Sequence, residues 1–198
     1  DMKVDLDILA KEKVDLVFAP SESEMYPCGF DTKVDVGVIA TRLEGAHRPD
    51  HFRGVATVVA KLFLICRPDR AYFGQKDAQQ CAVIRQLNND LNLGVQIVIV
   101  PTVRDADGLA VSSRNIYLSS EERLEALLIS RSLSEAHTLW KSGENGAHAL
   151  RSRILEVLNE SPIIMPEYVS LAHPDTIEEQ TTAQEGSLLS LAAYLGNT

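Results

Sequence analysis

The residues best equipped for chemistry lie in two short stretches, Tyr72-Phe-Gly-Gln-Lys-Asp-Ala-Gln-Gln80 and Asp107-Gly-Leu-Ala-Val-Ser-Ser-Arg-Asn115. The first sets a glycine, a lysine and an acid where a strand passes into a helix. Gly74 lets a ligand come close to the backbone. Lys76 is a mobile cation suited to phosphate oxygens, and Asp77 can either cap the helix or accept from a ribose hydroxyl. One turn further on, the amides of Gln79 and Gln80 can donate to and accept from a small polar substrate. The second stretch offers two hydroxyls, Ser112 and Ser113, beside the planar fork of Arg114, a set matched to phosphates. Each stretch also has a plainer explanation. The first could be a strand–turn–helix joint with an N-cap Asp77 and an exposed Lys76. The second could be a polar interdomain loop in which Arg114 pairs with a nearby carboxylate. What favours chemistry is the pair: each stretch follows a strand, and neighbouring parallel strands would bring both loops to one sheet edge.

The elements that must position these loops are legible from apolar periodicity. Residues 3–12 have helical spacing at Leu6, Leu9 and Ala10, and the apolar run Val14–Ala19 predicts a buried strand. Lys33–Ile39 alternates weakly and is β-branched, which predicts another strand. Thr41–His51 is a charged loop. Phe52–Cys66 predicts a helix with Val55, Val58, Val59, Leu62 and Phe63 as its stripe, stopped by Pro68. A short strand at Arg70–Phe73, a helix over Asp77–Leu91 with Cys81, Ile84, Leu87 and Leu91 on one face, and the strand Val95–Val100 follow. This alternation predicts an α/β doubly wound parallel sheet.

The layout changes after Pro101. A loop over Thr102–Leu118 leads to Ser119 and Glu122, which have capping-box spacing, and a helix runs from there to about Ser142. A second helix at Ala147–Asn159 and strands at Tyr168–Ala172 and Leu188–Leu195 complete a small α+β unit. A domain boundary is therefore expected near Thr102, giving domains 1–102 and 103–198.

Among 198 residues, 45% are hydrophobic and 24% charged, which suits a globular protein with a real core. The formal net charge of −9 gives no support for nucleic acid or an anionic membrane as partner. No apolar run approaches the ~20 residues that span a bilayer. Cys28, Cys66 and Cys81 are odd in number and lack C-x-x-C spacing, so free thiols in a reducing cytoplasm are expected. Cys66 and Cys81 sit on apolar helix faces and are expected as core thiols. His47 and His51 have a spacing that could bind zinc but no third ligand nearby, so no protein-held metal is expected. Trp140 is expected between the C-terminal helices.

The wider pattern resembles the pantothenate synthetase (pantoate–β-alanine ligase) family. Members carry a G-E-K-D-x-x-Q block followed by a D-G-L-A-[ML]-S-S-R-N-x-Y-L block; this chain has Gly74-Gln-Lys-Asp-Ala-Gln-Gln80 and Asp107–Leu118. It also carries Met25-Tyr-Pro27, Leu43-Glu-Gly45, Arg48-Pro49, His51-Phe-Arg-Gly-Val55, Lys61-Leu-Phe63 and Pro101-Thr-Val-Arg104. The resemblance implies a Rossmann-like fold of the class I nucleotidylyltransferase type, incomplete in domain 1–102, with 103–198 as a lid domain. It implies ATP contacts from Gly74, Gln75, Lys76, Asp77, Val103, Val111, Ser112, Ser113 and Arg114, with Lys76 and Arg114 catalytic and Gln80 holding pantoate. It further implies Mg2+ with ATP, pantoate and β-alanine as substrates, a pantoyl-adenylate intermediate, a cytoplasmic location and a homodimer.

Three departures accompany it. Gln75 replaces the usual Glu, and Val111 a longer Met or Leu. The family's first strand, its P-T-M-G-x-L-H-x-G-H segment and its N-x-x-Q-F segment do not occur in the chain, and members continue beyond Thr198. The resemblance thus implies a chain truncated at both ends, carrying one wall of the site and inactive on its own. Two other functions are weighed against the ligase: a non-catalytic scaffold of the same fold, and a nucleotidylyltransferase for another acid. A scaffold would bind neither ATP nor pantoate; a relative would bind ATP alone.

Overall fold

A computed structural model describes residues 2–196; Asp1 and residues 197–198, which open and close the two expected domains, lie outside the described residues. The chain divides into two compact units, Asp1–Thr32 and Lys33–Thr198. In the first, helix α1 (Met2–Lys11) has no buried residue. Helix α2 (Glu22–Met25) starts at a Ser21–Glu24 capping box, which satisfies two of its free N–H groups. The strand expected at Val14–Ala19 is absent: Leu16 is 84% exposed and the segment forms no ladder among the described residues. Apolar propensity does not make a strand without a neighbour to take its backbone hydrogen bonds.

The second unit holds the site. Its first segment corrects another expectation, because Lys33–Ile39 is not a strand. Asp35 Oδ1 accepts the Gly37 N–H (2.8 Å) and Gly37 takes φ 73°, turning the chain into a 3-10 helix, Gly37–Thr41. Glycine enters that positive φ without steric cost. The alternating valines still serve packing: Val34 and Val36 lie against the buried face of helix α4 (His51–Cys66). A short helix α3 (Glu44–His47) precedes α4, which buries Phe52, Ala56, Val59, Ala60 and Phe63. The stripe is rotated slightly from Val55, Val58 and Leu62, which are half-buried. Arg67 closes α4 in the left-handed region, ahead of Pro68, as helix ends commonly do.

Strand β1 (Arg70–Gly74), helix α5 (Ala78–Asp90) and strand β2 (Gln96–Val100) form one βαβ unit, with β1 and β2 parallel and Gly74 opposite Val100. Cys81, Ile84 and Leu87 of α5 are buried as expected, but Leu91 is exposed. Helix α6 (Ser120–Lys141) begins at the expected capping box, with the Ser119 N–H on Glu122 Oε2 (2.8 Å) and the Glu122 N–H on Ser119 Oγ (3.1 Å). It packs on α7 (Ala147–Leu158) and on the antiparallel strands β3 (Ile164–Ala172) and β4 (Leu188–Leu195). Strand β3 starts earlier than the expected Tyr168. A register shift between Pro166 and Tyr168 accommodates the proline, which has no N–H to give to a regular ladder. Trp140 packs with Leu139 against Leu150 and Leu171.

Residue 102 separates the parallel sheet from the antiparallel one, yet Ile177 is buried with Ile39, Phe52, Ala82 and Val83. Arg85 adds an ion pair to Asp175 (3.0 Å), and Arg42 pairs with Glu178 (3.0 Å). Cys81 is buried, whereas Cys66 is exposed, contrary to expectation: it ends α4, past the last buried turn at Phe63.

Candidate functional site

Parallel pairing of β1 and β2 brings the two motif loops to the same sheet edge, because both strands end there. From Gly74 the chain turns through a 3-10 helix, Gln75–Asp77, into α5. Asp77 occupies the N-cap position but makes no side-chain cap bond, so its carboxylate stays available. Lys76 Nζ lies 3.9 Å from it, and both side chains are solvated, which leaves the pair weak.

Beyond β2 the chain makes a tight reversal. The Asp105 N–H donates to Leu109 O (2.8 Å) and the Val111 N–H to Val103 O (2.9 Å). Leu109, at the turn, is buried. Asp107 accepts the Leu109 N–H and Arg123 neighbours it, which together hold its carboxyl below the usual range. Arg123 Nη2 sits 2.8 Å from both Asp105 and Asp107. Those acids are thereby taken up, and among the described residues Arg114 has no ion-pair partner. Ser112 Oγ accepts the Arg114 N–H (3.2 Å), and Asn115 Nδ2 donates to Ala110 O (3.0 Å), fixing the base of the 3-10 helix Ser113–Tyr117.

A cavity of ≈ 470 Å³ opens at this edge. Of the expected site residues, Lys76, Asp77, Gln80, Ser112 and Arg114 line it. Gly74, Gln75, Val103, Val111 and Ser113 do not. Gln75 turns toward a second cavity beside Cys81 and Arg85, Val103 and Val111 are exposed on the reversal, and Ser113 opens its 3-10 helix. Gln79 also lines the cavity, with its amide turned to the protein. It is buried, and its amide is spent on the backbone of residues 39–44.

The cavity is also lined by Glu44, Arg48 and Tyr168, which spacing did not single out, and by His51, which spacing raised only as a zinc ligand. Arg48 Nη1 pairs with Glu44 Oε1 at 2.9 Å. Burial and the adjacent Arg48 push the His51 imidazole down, since both disfavour its charged form. Burial, then the charges of Glu44, Glu167 and Asp77, push the Tyr168 phenol up to about 12. Glu44, Arg48 and His51 fall in motif fragments of the resemblance, so a signal for them existed. Tyr168 arrives from the distant strand β3, and no local pattern marks it.

The arrangement can therefore hold a polyanion between Lys76 and Arg114 while an amide, Gln80, orients a small polar acid beside it. The family model described as pantoate-beta-alanine ligase matches residues 1–198. The pantothenate synthetase of Thermoanaerobacter sp. (strain X514) is 52% identical over the whole chain, which covers 70% of that protein. That of Roseiflexus sp. (strain RS-1) is 54% identical, with 71% of its length covered. Among solved structures, pantothenate synthetase from Thermus thermophilus superposes with a TM-score of 0.96 at 42% identity, over 100% of this chain and 72% of that one, which shows the α/β nucleotidylyltransferase fold. The pantoate-beta-alanine ligase of Francisella tularensis, complexed with beta-gamma ATP and beta-alanine, matches with a TM-score of 0.74 at 31% identity, over 99% of this chain and 66% of that one. The chain belongs to the pantoate–β-alanine ligase family.

Proposed function

We propose that the cavity at the β1–β2 edge is where this ligase activates pantoate with ATP and joins it to β-alanine. The observation that carries the assignment is the convergence of Lys76, Gln80, Ser112 and Arg114 on one cavity. In the first step a pantoate carboxylate oxygen attacks the α-phosphorus of ATP. The bond to the bridging oxygen of the β-phosphate breaks, giving pantoyl adenylate and pyrophosphate. In the second step the β-alanine nitrogen attacks the acyl carbon, the bond to AMP breaks, and the amine proton is released as pantothenate forms.

Such transfers need positioning and charge neutralisation more than a protein nucleophile. Lys76 and Arg114 neutralise charge between the α- and β-phosphates, Ser112 donates to a phosphate oxygen, Asp77 accepts from ribose, and Gln80 holds pantoate. Gly74, Gln75, Val103, Val111 and Ser113 stay assigned to ATP through the resemblance, the exposed reversal folding over the nucleotide when it is bound. Mg2+ arrives on the phosphates. Residues 103–198 serve as a lid domain, and the enzyme works in the cytoplasm as a homodimer.

Titration calorimetry with ATP and with pantoate tests the assignment. Lys76→Ala and Arg114→Ala should each weaken ATP binding by at least about tenfold, and Gln80→Ala should weaken pantoate binding selectively. Binding of ATP without pantoate would make the chain a nucleotidylyltransferase for another acid. Binding of neither would make it a scaffold.

A further inference from the structure

We infer that Gln79 is a positioning residue of the ligase: a side-chain strap that sets the Ile39–Arg48 wall of the cavity, working through the backbone and not through substrate. The inference rests on the assignment of the cavity as the ligase site. Its geometry is specific. Gln79 is 6% exposed and spends its amide on three backbone groups. Oε1 accepts the Glu44 N–H (3.0 Å), while Nε2 donates to Ile39 O (2.9 Å) and Arg42 O (2.7 Å). The first N–H of α3 and the Ile39 carbonyl are helix-end groups, which helices leave without an internal partner, while Arg42 O also accepts the Gly45 N–H (2.8 Å). The N-cap of α3 is Leu43, whose side chain cannot cap, so the cap comes from α5 instead.

The turn it ties down needs holding. Leu43 sits at φ 41°, ψ −118°, a conformation that a leucine reaches only when its surroundings impose it. Two of the bonded groups, Arg42 O and the Glu44 N–H, flank it directly. Gly45 follows with no room to relax, since a Cβ there would collide with Ala40 O. This turn carries Leu43, Glu44 and Arg48 into the cavity wall. The strap is also adjacent in sequence to Gln80, so the first turn of α5 fixes the acid subsite twice: Gln80 as its floor and Gln79 as the support of the facing wall.

The test compares Gln79→Ala, Gln79→Glu and the double variant Gln79→Ala/Leu43→Gly in the full chain, by pantoate and ATP calorimetry and by amide hydrogen exchange at Glu44. Gln79→Ala should weaken pantoate binding at least tenfold, change ATP affinity less than threefold and abolish protection of the Glu44 amide. Gln79→Glu should do no better, because its carboxylate faces two carbonyl oxygens. Leu43→Gly should recover part of the pantoate affinity lost in Gln79→Ala, since glycine accepts the positive φ without a strap. A folded Gln79→Ala with unchanged pantoate affinity, or equal loss of both ligands, overturns the inference. If the parent chain binds no pantoate, the cavity assignment fails instead. The exchange readout then still decides whether Gln79 holds the turn: retained Glu44 protection in Gln79→Ala overturns that.

Discussion

Arg114 is available for a phosphate because Arg123, on the neighbouring helix, has already engaged Asp105 and Asp107. An arginine with acids so close in sequence would ordinarily pair with them, which is why sequence alone left Arg114 undecided. Tyr168 makes a second point at this scale. Its phenol is half-buried among Glu44, Glu167 and Asp77, and burial first, then those charges, raises its ionisation to about 12. Below pH ~10 the phenol is neutral in folded and unfolded chains alike, and its contribution is fully present. Between pH ~10 and 12 only the unfolded chain ionises, so stability falls as pH rises, by on the order of 1–2 kcal/mol after solvent screening. Ultraviolet titration of the five tyrosines should show one ionising well after the others, and Tyr168→Phe should remove that late component. A late component surviving Tyr168→Phe would contradict the assignment.

Elements whose signals are local were legible, and those that depend on a partner were not. The Ser119–Glu122 box starts α6 in the sequence and in the structure, because a cap acts within one turn. Ser119→Ala should cost about 1 kcal/mol in urea denaturation, with no change in the denaturant slope. A loss below about 0.3 kcal/mol would mean that α7 and the β3–β4 sheet, not the cap, fix that end of α6. The segments at residues 14–19 and 33–39 failed for the opposite reason: both have strand composition, and neither finds a strand to pair with among the described residues. The same limit explains the site. The loops after β1 and β2 could be read from motifs lying next to their strands. Gln79 looked like a ligand because the backbone that consumes its amide lies 35 to 40 residues away in sequence. Those backbone bonds need tertiary structure to be seen.

At the scale of the molecule, the net charge of −9 does not prevent anion binding, because Arg48, Lys76 and Arg114 gather cations at one cavity. Solvent and salt screen charges more than roughly 10 Å away. The buried apolar residues are distributed just as unevenly. Among the described residues, the four hydrophobic clusters lie within Lys33–Thr198, and of those in Asp1–Thr32 only Met25 is buried. Local opening is cheapest where few apolar contacts resist it. Lys11 and Lys13 stand at the end of α1 and just beyond it, the latter at φ 58°, with exposed backbone following. Limited trypsin digestion should therefore cut after Lys11 and Lys13 before it cuts anywhere between residues 70 and 158. Every residue lining the cavity lies between Leu43 and Ala193, inside the unit that resists. The nicked protein should keep its cooperative thermal transition and bind ATP within about threefold of the intact chain, since the groups proposed to grip phosphate stay in place. Early cleavage inside α5 or α6, or loss of ATP binding on nicking at Lys11 and Lys13, would show that Asp1–Thr32 is required to hold the cavity in shape.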